Sequence, residues 1–405
     1  MQPQTHAKPF YIFFLVMPYG ISAGFVTVTL PYLLTQKGFS VELAASIVAL
    51  GFSANIWRFL WGPVADMTLT LRRWYWIGIT TSIATLLLLC VMPYNTKGAV
   101  LLSVVVFASQ VAATLILLPV GGLMAHRIEE QKKGRAGGWF QAGNLGGVGL
   151  GGGVGLWLAT HTSMVITGLL LCVLIMACAW IVLLVEDVPC NKEKTIVAQI
   201  KKMGKDIAGM LRVPVVLFII IILFMPIGTG AASNIWSALA VDWKVNANTV
   251  ALVTGIISGL VSAVGCVLGG WIADRWGIWW AYFGTGTVSA LVTLLMAAFP
   301  YTPWVYVSGV LLYGFALGMV NAAFSAMALF ATGKKAAATK YSLLSSISNL
   351  PIVFIISLDG WAHDHGGSKF MLVIESFSGL FFIIICIVIL KWMNGKNMLN
   401  KPVDA

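Results

Sequence analysis

Charge is what this chain most lacks. Only 10% of its 405 residues are Asp, Glu, Lys or Arg, and only 14 are acidic. Soluble domains carry roughly 25% charged residues, so a soluble globular fold is excluded. Histidine is scarce as well. The five (His6, His126, His161, His363, His365) fall in tails, loops and span ends. Only "HDH" (His363–His365) clusters, and two histidines with one aspartate need a further ligand to hold a metal. No cluster of nucleophiles, carboxylates or metal ligands stands where an intramembrane enzyme would need one, and no metal or cofactor is expected. The six cysteines (Cys90, Cys172, Cys178, Cys190, Cys266, Cys386) show no metal-ligand spacing. Five lie in apolar runs and read as small buried hydrophobes. A long hydrophilic stretch is also missing, so no soluble domain is expected. The longest such piece, Glu186–Arg212, reads equally as an amphipathic helix on the membrane surface or as a solvated linker.

What is present is apolar sequence, 59% of the chain. About 20 apolar residues suffice to cross a bilayer. Twelve segments qualify: 10–35, 42–66, 74–93, 98–125, 136–159, 163–185, 213–240, 247–273, 278–299, 303–331, 338–358 and 368–391. The expected fold is therefore an all-α polytopic membrane protein with twelve transmembrane helices. The first segment is too long for a cleaved signal peptide and continues through Pro31 without a convincing small-residue cleavage site. With the N-terminus placed inside, 20 of the 25 Lys and Arg fall on inner segments and four on outer loops, Arg58 being the remainder. Cytoplasmic loops attract Lys and Arg, so both termini are expected in the cytoplasm of a cell inner membrane. The same bias accounts for the net charge of +11 with no nucleic-acid partner.

The chain repeats itself. "MPYGISAG" (Met17–Gly24) in span one returns as "MPIGTGAA" (Met225–Ala232) in span seven, 208 residues later. "GPVAD" (Gly62–Asp66) at the end of span two returns as "GWIAD" (Gly270–Asp274), again 208 residues later. Two matches in one register imply parallel six-helix halves, 1–185 and 213–393. A cytoplasmic linker over 186–212 joins them, and 394–405 forms a cytoplasmic tail. Pro18 with Gly20 and Gly24, and Pro226 with Gly228 and Gly230, are expected to weaken spans one and seven near mid-membrane. The glycines of "GNLGGVGLGGGVG" (Gly143–Gly155) permit close helix approach in span five, either as packing alone or as a mobile contact between halves.

A few polar residues break the apolar pattern. At 3.6 residues per turn, Gly51, Asn55, Arg58, Gly62 and Asp66 share one face of span two. Such a stripe should face protein or water. Arg58 has three possible roles there: snorkelling to the interface, pairing across helices, or meeting an anionic solute. Its position in the repeat is filled by Cys266 in the second half, which favours a function over an architectural role. Gln141 and Asn144 in span five, Asn234 in span seven and Asn321 in span ten could bind a polar solute or glue helices. So could the span-eleven face bearing Tyr341, Ser345, Ser348 and Asn349. Carboxylates are few: Glu375 lies in the outer part of span twelve, and Asp359 ends span eleven. They are the candidates for proton coupling, and their scarcity argues against a cationic-drug pocket.

Several stretches resemble the major facilitator superfamily. "GGWIADRWG" (Gly269–Gly277) is similar to its loop signature, Gly-x-x-x-Asp-Arg-x-Gly. The first-half copy is degenerate, with Arg72 and Arg73 following a longer spacer. The resemblance implies that Asp66, Asp274 and Arg275 latch an inner gate. "RFLWGPVAD" (Arg58–Asp66), "ALGMVNAAFSAMAL" (Ala316–Leu329) and "AATKYSLLSSISNLP" (Ala337–Pro351) resemble one branch of that superfamily. This branch holds the AmpG-type muropeptide permeases, the acetyl-coenzyme A transporters and related siderophore importers. It implies an inner-membrane importer of bulky polar, often anionic solutes, driven by protons in its bacterial members; a monomeric secondary transporter working by alternating access is expected. It carries over Arg58, Trp61, Asp66, Tyr341 and Ser345 as motif positions. The other readings are an uncoupled facilitator or exporter and, in a different class, a non-transporting receptor or an intramembrane enzyme.

Overall fold

The computed structural model describes residues 7–128, 133–188, 201, 204–205, 208–209, 211–332 and 343–396. Among these residues the chain is helical with no strand. Lipid offers the backbone no hydrogen bonds, so each crossing segment must satisfy its own amides and carbonyls. The helix starts are set by sequence. Ser40, Thr70, Ser163 and Asn246 each cap a helix by accepting an amide three residues on. These are the residue types whose short side-chain oxygens satisfy orphan N–H groups.

The chain forms a twelve-helix bundle of two parallel six-helix repeats. Spans one to six cover Tyr11–Gln36, Val41–Thr68, Leu71–Val91, Ala99–Arg127, 133–161 and Met164–Leu184. Span seven starts as Pro214–Phe224, and spans eight to ten cover 247–276, Ile278–Ala298 and Pro303–Thr332. Spans eleven and twelve, 343–366 and 368–395, run into one another at Gly367, whose φ of 74° breaks the helix. Val100, Val267 and Trp304 are among the apolar side chains left facing outward. The bilayer covers such groups in a membrane protein.

Span eleven is longer than its apolar stretch suggests. The expected end at residue 358 is overtaken by two more turns, so Asp359 lies within the helix and His363 in its last turn. The polar run continues as helix because its groups find partners: His365 bonds the Trp361 carbonyl at 2.9 Å and His363 meets Asp242 at 2.8 Å.

The two proline-glycine segments behave differently. Span seven is unwound as expected. Its helix ends at Phe224, Gly228 and Gly230 take φ of 56° and 71°, and short turns resume at Ala231–Asn234 and Trp236–Leu239. Those positive angles need glycine. Span one is not broken: Pro18 sits inside a helix that runs from Tyr11 to Gly24 and continues through a π-helical segment, Phe25–Thr29. Its glycines serve contact instead. A Cβ on Gly20 or Gly24 would overlap the span-five backbone at Asn144 and Val148.

Span five touches both halves. Gly143, Gly147 and Gly151 press on the span-one carbonyls of Phe13, Met17 and Ile21, and the Thr29 hydroxyl donates to Gly151 O at 3.2 Å and Gly152 O at 3.0 Å. Gly149 and Gly153 face span eight, where a Cβ would come within 2.9 Å of Gly255 O and 2.6 Å of Ala251 O. Packing and inter-half contact are thus both present, on different faces of one glycine-rich helix.

Each half has its own apolar core, and a third core joins them. In the joint core Ala45, Val48, Ala49 and Leu156 of the first half meet Trp236, Trp243 and Ile356 of the second. It lies toward the face opposite the chain ends. On the face of the chain ends, Arg72 bonds within its own half. Its amide donates to Asp187 Oδ1 at 3.0 Å and its guanidinium to Val185 O at 2.6 Å, while Arg127 pairs with Glu186 at 3.0 Å. These contacts tie the ends of spans three, four and six within one half.

The repeat also appears in a detail the sequence register misses. Tyr75 of span three donates to Leu15 O at 3.0 Å, and Tyr282 of span nine to Ile227 O at 3.4 Å. Each tyrosine ties the third helix of its half to the first, at an offset of 207 rather than 208. Each bond is worth about 1 kcal/mol net. Tyr75→Phe and Tyr282→Phe are expected to lower the melting temperature by similar, small amounts. A large loss from one alone would show that the two ties are not equivalent.

Candidate functional site

Arg58 stands on the polar face of span two, and the fold brings it to the seam between halves. Its Nη2 donates to Ser345 Oγ of span eleven at 3.0 Å. One turn away, Asn55 is buried and its Oδ1 accepts from Tyr19 Oη at 2.9 Å. Tyr19 is buried and close enough to feel the Arg58 charge. On the span-eleven side, Asn349 Nδ2 donates to Ser345 O at 2.6 Å and Ser348 Oγ to the same oxygen at 2.9 Å. Polar residues of spans one, two and eleven therefore meet, namely Tyr19, Asn55, Arg58 and Ser345, with Ser348 and Asn349 bonded to the Ser345 carbonyl behind them. A guanidinium with its planar fork of donors suits a carboxylate or phosphate.

Tyr19 was not among the candidates, although it lies in the "MPYG" repeat. The second half has Ile227 in its place, so the residue departs from the repeat just as Arg58 does. That shared asymmetry was the available signal.

Other candidates lie apart. The Asn234 amide donates to Gly230 O and Ala231 O and closes the turn in span seven. Gln141 and Asn144 are half-buried on span five, and Asn321 is half-buried on span ten, where its carbonyl accepts from Ser325. Arg275 is exposed in the last turn of span eight. Tyr341 and the side chains of Asp66 and Asp274 lie outside the described residues. Asp359 is fully buried, and Glu375 Oε1 accepts from Tyr313 Oη at 2.5 Å.

A second polar cluster closes the opposite face. His363 bridges Asp242 Oδ2 at 2.8 Å and Asp364 Oδ1 at 3.2 Å, and Ser368 donates to Asp242 at 2.5 Å. The other oxygen of Asp364 accepts the Glu42 amide at 3.1 Å, capping span two from the other half. This cluster stands beyond the apolar part of its helices. Burial alone would lower the His363 pKa, but hydrogen bonds and charge from Asp242 and Asp364 outweigh it and hold the value above 6.5. Asp242 is lifted by burial and pulled down further by His363 and Ser368, ending below 3.8.

The sign follows from linkage. The His363 contribution to stability is complete below pH 6.5 and fades as pH rises through its raised pKa. The Asp242 contribution is complete above pH 3.8 and fades as pH falls through its lowered pKa. Wild-type protein is therefore expected to lose melting temperature on going from mildly acidic to alkaline pH. His363→Ala should flatten that slope; an equal slope in the variant would count against the cluster as its origin.

Comparison with known proteins places this geometry. The family model described as Major Facilitator Superfamily matches residues 12–356. Among solved structures, the D-xylose–proton symporter superposes with a TM-score of 0.74 at 13% identity, covering 93% of this chain and 96% of its own. A peptide transporter POT in complex with sulfate gives 0.71 at 14% identity, covering 96% and 97%. The nucleoside transporter NupG gives 0.68 at 15% identity, covering 94% and 98%. No curated protein sequence matches the chain. At such identities the superpositions speak for the fold, and the family match speaks for the lineage. The chain belongs to the Major Facilitator Superfamily and is a membrane transporter, not an enzyme.

Proposed function

We propose that this transporter imports a bulky polar, anionic organic solute across the cell inner membrane by alternating access, driven by protons. The solute class is that of a siderophore, a muropeptide or an acyl-coenzyme A. One observation carries the reading: Arg58 sits inside the bundle at the seam of the halves, hydrogen-bonded to Ser345 across it. A cation there is costly unless it has a partner or a task, and the residue has no counterpart in the second half, which favours a task. Arg58 holds the anionic group, and Tyr19, Asn55, Ser345 and Asn349 orient it. Gln141, Asn144 and Asn321 line the solute's path from spans five and ten, and Tyr341 extends the span-eleven face. Asn234 supports the site indirectly, by shaping the turn in span seven. Asp66, Asp274 and Arg275 latch the cytoplasmic gate. The excess of Lys and Arg on the side of both termini supports their cytoplasmic placement. The resemblance of "RFLWGPVAD" and "AATKYSLLSSISNLP" to the muropeptide and acetyl-coenzyme A branch supports the solute class.

The test is a thermal-shift series on purified protein with a siderophore, a muropeptide and an acyl-coenzyme A. One class is expected to raise the melting temperature of wild type and not of Arg58→Ala. A shift of equal size in both proteins, or shifts from cationic solutes alone, would overturn the assignment.

A further inference from the structure

Spans seven, ten, eleven and twelve enclose two carboxylates that the Arg58 site does not use. Asp359 is 0% exposed, and neither of its oxygens has a hydrogen-bond partner. Glu375 has one oxygen bonded to Tyr313 Oη at 2.5 Å and the other buried without a partner. Asp359 is close enough to act electrostatically on both Glu375 and Tyr313. The Ala232 backbone, in the broken part of span seven, faces Glu375 and Tyr313. Among the described residues, neither carboxylate belongs to an ion pair.

This arrangement is untenable with both groups ionised. An uncompensated buried charge costs several kcal/mol, and two adjacent carboxylates repel one another. A proton relieves both penalties at once. Beside Glu375 lies a cavity of about 10 Å³, room for about one water. Thr229, Ser289, Thr293, Tyr313 and Ser378 line it together with Glu375. It abuts Pro226 and Gly228, where span seven is unwound.

Asp359 and Glu375 each lie eight residues from the break at Gly367, about 12 Å along their helices from the outer end. Ser345 lies 14 residues below Asp359 on span eleven, or about 20 Å. The two sites are therefore separate but share one helix. Gly360, next to Asp359, packs against span two, where its Cβ would stand 2.5 Å from Ala45 Cβ and 3.1 Å from Glu42 Cα. The segment of span eleven beside Asp359 thus packs on span two, the helix that carries Arg58.

We propose that Asp359 and Glu375 share the proton that drives uptake, with Tyr313 holding the Glu375 carboxylate in place. The inference rests on the importer reading above. An O–H bond forms at the pair from a hydronium ion outside, and breaks to water inside once the carrier has turned. No electron transfer is involved.

Infrared spectroscopy of the protein in lipid nanodiscs tests the site without any solute. Wild type at neutral pH is expected to show the carbonyl stretch of a protonated carboxylic acid, lost as pH is raised. Asp359→Asn and Glu375→Gln should each remove or displace that band, and Tyr313→Phe should keep the band while moving its midpoint. Melting temperatures confirm that each variant is folded, and Tyr313→Phe tests the site on its own should either carboxyl variant fail to fold. A wild type with no such band, or a band indifferent to all three variants, would overturn the proposal. So would a band that vanishes at fixed pH when choline is replaced by sodium, which would mark a cation site. Normal behaviour of the band alongside uptake that ignores a pH gradient would instead sink the proton-driven reading of transport and leave the pair as a buried protonated site only.

Discussion

Arg58→Ala is expected to reduce solute uptake at least about 30-fold while leaving a folded, inserted protein. Removing one partner of a buried, hydrogen-bonded charge pair costs 2–5 kcal/mol, and each 1.4 kcal/mol is a factor of ten. The pair here is the guanidinium and the solute anion. In the resting protein the substitution removes the bond to Ser345 Oγ, worth about 1 kcal/mol net, among the contacts of Arg58. Arg58→Lys keeps the charge but loses the planar fork, so it should fall between the two. Ser345→Ala removes only the anchor and should weaken uptake several-fold. Uptake assays with size-exclusion profiles check all three. Normal uptake by Arg58→Ala would mean that the side chain merely snorkels toward the interface.

Gly151→Val is expected to abolish the folded protein. Its Cβ would overlap the carbonyl of Ile21, and the neighbouring atoms are backbone on both sides. No rotamer change relieves such a clash, so spans one and five would have to part. That would also strain the Thr29 bonds to Gly151 and Gly152. Overpacking with side-chain relief costs about 1–3 kcal/mol, and a backbone clash should exceed that range. Gly121→Ala is the matched control, since nothing lies within 4 Å of its added Cβ. Expression and melting temperature read out both variants. A normally folded Gly151→Val would mean that spans one and five are not held at this distance.

Much of the architecture was legible because its signals are periodic. Apolar runs, the 208-residue register and the stripe on span two each repeat often enough to be read. The difference between spans one and seven was not. Both carry proline and glycines, but Gly20 and Gly24 stand four apart on one helical face, whereas Gly228 and Gly230 stand two apart and take positive φ. The seam explains which spans look least like membrane helices. Among the described residues, eight stretches are long and apolar enough to cross, and spans two, five and seven are not among them. Those spans are polar-faced, glycine-rich or broken, and each contributes to contact between halves.

The site was legible only as separate residues. Arg58 and Ser345 were both candidates, but 287 positions separate them and only the fold makes them neighbours. Glu375 was a candidate without Tyr313, which lies 62 residues earlier in a helix with no local sign of an acidic partner. Asp242 and His363, 121 residues apart, likewise meet only through the turn that follows span seven.

The most direct test of the account is accumulation in proteoliposomes. Purified protein would be loaded with the solute class that shifts its melting temperature, and uptake measured with the outside more acidic, equal or more alkaline than the inside. The account predicts accumulation above equilibrium only with the acidic exterior, lost in Arg58→Ala. Equal final levels under all three gradients would contradict it and identify an uncoupled facilitator.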